Sequence, residues 1–267
     1  MAEQGTAFFM YHELSLPNRA VCRPEPGYTR YVVSASDFRS HMEDLAGQGW
    51  RATDVSQSIQ YVDGKTVCVT FDDGCETDLL AAAPILKEFG FRATFYITVG
   101  FLGTPGYLST AQVSDLKALG FEIGCHSLTH PYLPDIDDHR LHDETAGAKD
   151  RLEQITGGAV EHFSCPGGRW DRRVVEAVKA AKFRTMATSR TGMNFASTNP
   201  LQLMRIAVLS GTTVEKFRRE CLGRGLFRTQ LQEIARESAR NVLGNSMYDS
   251  LRSLILGRDG GSQSVHH

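Results

Sequence analysis

Apolar residues in this chain gather into short, β-rich runs, and between the runs they recur at helical spacing. The runs AFFMYHEL (7–14), KTVCVTFDDG (65–74), RATFYITV (92–99), FEIGCHS (121–127), VEHFSCPGG (160–168), TMATS (185–189) and LMRIAVL (203–209) read as strands. The stretches between them read as helices. In SASDFRSHMEDLAGQGW (34–50), Ser34 or Ser36 caps a helix whose apolar face carries Phe38, Met42 and Leu45, and Gly47 or Gly49 ends it. Further helices are expected in TDLLAAAPILKEFG (77–90), TAQVSDLKALG (110–120), DDHRLHDETAGAKDRLEQITGG (137–158) and DRRVVEAVKAAKF (171–183). Such alternation favours parallel strands joined by crossover helices. About seven units predict an α/β fold, a distorted or incomplete (β/α) barrel short of the ideal eight.

From Thr213 onward the strand signal stops. Two helical patterns follow, VEKFRRECLGRG (214–225) and a longer one over 228–257, in which Leu231, Ile234, Val242, Leu251, Leu254 and Ile255 make an apolar stripe one face wide. The stripe reads first as a helix packed on the barrel, and second as a surface for homo-oligomerisation or membrane contact. The expected organisation is a barrel over 7–212, a C-terminal helical extension over 213–256 and a disordered tail over 257–267.

Bulk properties remove several classes. A chain of 267 residues that is 41% hydrophobic and 22% charged can bury a full core. Its net charge of −2, with no concentrated block of Lys and Arg, argues against nucleic acid as a partner. No run approaches the roughly 20 apolar residues of a transmembrane helix. The opening residues lack the basic and apolar regions of a signal peptide, so a cytoplasmic protein is expected, a leader trimmed beforehand aside. The six cysteines form no CxxC pair, and free thiols in a reducing compartment are the simpler account.

Two stretches carry candidate chemistry. Val69 to Gly74, VTFDDG, ends a strand on adjacent carboxylates. Side chains alternate along a strand, so Asp72 and Asp73 reach one site only if the backbone bends there. The plain alternative is a pair that starts a turn. In HSLTHPYL, His126 and His130 stand four apart, a spacing that lets two imidazoles share a metal in a compact loop. An aspartate such as Asp73 would complete a two-histidine, one-carboxylate site with open positions.

TFDDG followed by HSLTH resembles the first two motifs of the polysaccharide deacetylases, the NodB-homology or family-four carbohydrate esterases. FSCPGGRW resembles the third motif, and ATSRTGMN and LMRIAV resemble later strands of the same barrel. The resemblance implies Asp72 as general base and Asp73, His126 and His130 as ligands of one divalent metal, zinc first, with cobalt, nickel or iron as alternatives. It also implies that the turn Pro166, Gly167, Gly168, Arg169 and Trp170 contacts substrate. Two positions depart from the pattern. The arginine that usually precedes the proline of the third motif is absent, leaving Arg169 either to support Asp72 or to bind substrate. The late strand offers Arg205 where a histidine general acid is usual. In a circularly rearranged branch, the poly-N-acetylglucosamine deacetylases, the acid strand comes first and ends in Tyr-His, as FFMYHEL does. That points to His12 as general acid, whereas a histidine ending an apolar run would otherwise be read as structural.

The function so implied is metal-dependent removal of N-acetyl groups from an N-acetylated sugar or glycan. A deacylase or deformylase of another small or lipid-linked amide is the alternative among enzymes, and an inactive glycan-binding or scaffolding protein the alternative of another class. The remaining histidines read as bland: His139, His142 and His162 on solvated faces, and His41 at the boundary of an amphipathic helix.

Overall fold

In the computed structural model, residues 5–60 and 64–233 are described. Most of the longer C-terminal helix, the 257–267 tail and the oligomerisation surface expected there lie outside the described residues. The strands are β1 (Thr6–Tyr11), β2 (Leu14–Ser15), β3 (Val33–Ser34), β4 (Arg51–Thr53), β5 (Thr66–Phe71), β6 (Thr94–Ile97), β7 (Glu122–Cys125), β8 (His162–Ser164), β9 (Thr185–Ala187), β10 (Met193–Asn194) and β11 (Ile206–Ala207). Every run expected to be a strand is one. The short strands β2, β3, β4 and β10 escaped the pattern because they are too brief to show a period.

The main sheet runs β1, β5, β6, β7, β8, β9 with all neighbours parallel. Residues 203–207 then close it. Leu203 N donates to Met186 O on β9 and Thr188 N donates to Leu203 O, both at 2.9 Å, while Ile206 of β11 pairs in parallel with Phe9 of β1. The result is a distorted (β/α) barrel, with β4 added beside the start of β5 and β10 antiparallel to the start of β1.

Strands buried on both faces need continuous apolar runs. β1 and β5 are buried at every residue. Outward residues such as Ala7, Phe9, Val67, Val69 and Phe71 join the large core under the helices, whereas Phe8, Cys68, Tyr96, Ala187 and Leu203 form a smaller cluster inside the ring. Helix Ala35–Gly47 is capped by Ser34, whose Oγ accepts from Asp37 N at 2.9 Å, and it buries Phe38, Met42 and Leu45 as its spacing predicts. Gly49 follows in the left-handed region at φ 71°.

Two histidines are corrected. His41 is buried rather than at a boundary: Tyr11 Oη donates to its Nδ1 at 3.1 Å and its Nε2–H donates to Thr212 O at 2.9 Å. It joins the barrel to the helix Val214–Cys221, where it stacks on Phe217. His162 is also buried, not solvated, and hydrogen-bonds Thr185 Oγ1 and Ser56 Oγ, each at 2.8 Å. A polar neighbourhood in sequence concealed both, because their partners are far along the chain. His139 and His142 are exposed as expected.

Candidate active site

Along β5 the inward positions are Cys68 and Thr70, and the alternation continues to Asp72 just past the strand. Asp73 then takes φ 79° and Gly74 φ 82°. This left-handed bend brings Asp73 back to the same mouth as Asp72. A non-glycine residue in that region is strained, a cost usually tolerated where a side chain has to be aimed.

Asp72 is gripped by Arg205. Nη1 donates to Oδ1 and Nη2 to Oδ2, both at 2.8 Å, and Ser164 Oγ donates to Oδ2 at 3.2 Å. Arg205 is itself 1% exposed and anchored by Nε to Thr188 O at 2.9 Å. Burial alone would raise the Asp72 carboxyl, but the Arg205 charge, His126 and the Arg205 hydrogen bonds outweigh it, and the group lies below the usual carboxylate range. The sequence leaves Arg169 open between supporting Asp72 and binding substrate. The structure sets the Arg169 guanidinium over the Tyr132 ring, 3.6 Å from its centroid.

His126 and His130 follow β7 in a compact loop, with Ser127 at φ 67° and His130 at φ 62°. His130 N donates to Ser127 Oγ, and Glu144 pins the loop by accepting from Leu128 N and Thr129 N at 2.9 and 2.8 Å. Glu144 was not singled out in the sequence, since it sits in an ordinary polar helix. Nε2 of His126 and of His130 lie 3.5 and 3.4 Å from Asp73 Oδ1. His126 Nδ1–H donates to Ser164 O at 2.8 Å, which leaves Nε2 as the bare nitrogen facing Asp73. Burial pushes the His126 imidazole down to about 4, against the pull of Asp72, so the ring is neutral at pH 7. Asp73 Oδ1 is buried with no hydrogen-bond partner. An orphaned carboxylate oxygen between two imidazole nitrogens suits a divalent cation.

β1 lies beside β5, with Tyr11 opposite Phe71 and Asp72 N donating to Tyr11 O at 3.0 Å. His12 therefore stands next to the carboxylates, with its ring 4.7 Å from that of Tyr31. Burial lowers its imidazole, partly offset by Asp73 and Asp72. His12, Asp72, Asp73, His126 and His130 all open onto one cleft of about 1060 Å³. Gly167, Gly168, Arg169 and Trp170 line it too, whereas Pro166 is buried beneath. Gly168 sits at φ 65°, and a Cβ there would fall 2.2 Å from Ser189 Oγ, so the turn can come this close only as glycine.

Carboxylates and imidazoles gathered where the strands of a parallel barrel end suit hydrolysis. Residues 60–186 match the family model described as polysaccharide deacetylase. It is 31% identical over 147 residues to the chitooligosaccharide deacetylase of Azorhizobium caulinodans, covering 54% of this chain and 64% of that one. A Bacillus subtilis protein, YxkH, with a provisional name in the same family, is 23% identical over 214 residues, 78% of this chain and 73% of its own. Among solved structures, the Streptococcus pyogenes deacetylase PplD, in complex with acetate, superposes with TM-score 0.73 at 21% identity, covering 82% of this chain and 98% of that one. At that identity the likeness speaks to the fold.

Proposed function

We propose that the protein is a metal-dependent hydrolase that removes N-acetyl groups from an N-acetylated sugar or glycan. The observation that carries this reading is the orphaned Asp73 oxygen facing two imidazole nitrogens, beside an arginine-held Asp72 and with His12 on the same cleft. The chitooligosaccharide deacetylase relative supports a carbohydrate amide as the substrate.

Asp73, His126 and His130 would hold one divalent cation, which supplies Lewis-acid polarisation and makes water a stronger acid. Asp72 accepts the proton of the water that attacks the amide carbonyl, and Arg205 keeps it ionised until then. His12 gives a proton to the departing amine nitrogen as the C–N bond breaks. Acetate and the free amine leave through the cleft, and exchange with solvent restores both groups. Trp170 and Arg169 bound the cleft beside this centre and contact the sugar.

Purified protein supplied with zinc is expected to release acetate from N-acetylglucosamine oligomers, and a chelator to stop it. His12→Ala should keep the metal and lose turnover by about 10²-fold or more, the scale of a missing general acid. Asp73→Ala should lose the metal from this cluster. Absence of acetate release with zinc, cobalt, nickel and iron alike would refute the proposed activity. Unchanged turnover in His12→Ala would remove His12 from its role.

A further inference from the structure

A second set of ligand-bearing side chains converges next to the first. Glu13, Cys22 and Cys75 each bring one donor atom to within 4.8 Å of the others. Glu13 and Cys75 are buried and Cys22 is half-buried. The two Sγ atoms lie 3.6 Å apart. Two thiolates on one tetrahedral zinc, with Zn–S near 2.3 Å, stand about 3.8 Å apart, whereas a disulfide requires about 2.05 Å.

The two arginines beside the cluster are engaged by other groups, Arg19 by Glu76 and Arg23 by Tyr107. Both Glu13 oxygens accept from Cys22 N, at 2.9 and 3.1 Å, and no cation pairs with this carboxylate among the described residues. Asp78, wholly buried close by, has neither carboxylate oxygen hydrogen-bonded. A buried carboxylate without a countercharge is costly, and a dication would compensate it. The loop is also shaped around the thiol. A Cβ on Gly106 would approach Cys22 Sγ to 2.9 Å, and the Gly106 carbonyl already accepts from that thiol at 3.1 Å.

We propose that Glu13, Cys22 and Cys75 form a second divalent-cation site that takes zinc, distinct from the Asp73, His126 and His130 cluster. Two sulfurs and a carboxylate are softer ligands than two imidazoles and a carboxylate, so this site favours a thiophilic metal. Each thiol gives up its proton to solvent as its sulfur takes the metal. Occupancy ties the loop between β2 and β3, which carries Tyr31 against His12, to the turn after β5.

The test is metal binding to the full chain, read without any activity assay. Asp73→Ala protein, dialysed against cobalt(II), is expected to hold one ion with a thiolate-to-cobalt charge-transfer band, and adding Cys22→Ser should abolish both. Wild-type protein should hold two zinc ions and Cys22→Ser one, a comparison that does not depend on the Asp73 variant. Equal zinc content in wild type and Cys22→Ser overturns the proposal. So does the absence of a thiolate band, or a Cys22–Cys75 disulfide found in protein purified without reductant.

Discussion

At the scale of single residues, the site depends on one guanidinium. Arg205 occupies both oxygens of Asp72 in a fork that a lysine ammonium cannot reproduce. Because Asp72 is held below its ordinary range, its contribution to stability is full above the unfolded carboxylate value and is lost as pH falls through the folded one. Arg205→Met leaves a buried carboxylate unpaired, which should cost about 3–5 kcal/mol in urea unfolding. It should also raise the Asp72 pKa, moving the acid limb of kcat/KM toward neutral pH, and Arg205→Lys should rescue this only in part. An acid limb that stays put in Arg205→Met would show that Asp72 does not depend on the pair. Arg205 was visible in the sequence only as a residue standing where a histidine is usual. Its role needs the late strand to lie against β1, a placement that periodicity does not encode.

At the scale of elements, opposite ends of the strands do opposite things. The C-terminal ends of β1, β5 and β7 lead into the candidate catalytic groups, while the N-terminal ends hold a buried polar network. There Glu122 starts β7 and His162 starts β8, with His162 Nε2 3.3 Å from Glu122 Oε1. Burial would raise the Glu122 carboxyl, but hydrogen bonding and charge from His162, with hydrogen bonds from Ser56 and Thr94, bring it from 4.5 down to about 2. A depressed carboxylate stabilises the fold above its unfolded value and loses that contribution as pH falls from about 4.5 through 2. Wild type should therefore exceed Glu122→Gln in Tm at pH 7, with the gap closing as pH falls through that window. A gap that stays constant with pH would mean that the network stabilises by shape rather than charge. The strands were legible because a doubly buried strand has to be apolar throughout. This network was not, because its members are scattered among polar residues and meet only when the strands align.

At the scale of the whole molecule, the barrel is closed by a stretch with little regular structure. Residues 203–207 bridge β9 to β1 and carry Arg205 into the interior, so closing the ring and holding Asp72 are one event. The amides of Leu203, Arg205 and Val208, which donate to Met186 O, Arg190 O and Met10 O, should exchange as slowly as those of β5 in native-state hydrogen exchange. Exchange at loop rates would show that the ring opens without global unfolding. The described part of the C-terminal region also reaches the cleft, through Lys216, Glu220, Leu226, Thr229 and Glu233. No helix among the described residues is long and apolar enough to cross a membrane.

The sequence by itself determined the strand and helix alternation, the parallel barrel it builds, and the carboxylate and histidine motifs, because burial and capping leave local marks on residue type and spacing. Tertiary structure alone decided that the first strand pairs with β5 and so sets His12 beside Asp72. It likewise decided that Arg205 grips that carboxylate, and that Glu13, Cys22 and Cys75 share a corner. These are contacts between residues far apart in the chain, and they exist only once the ring has closed.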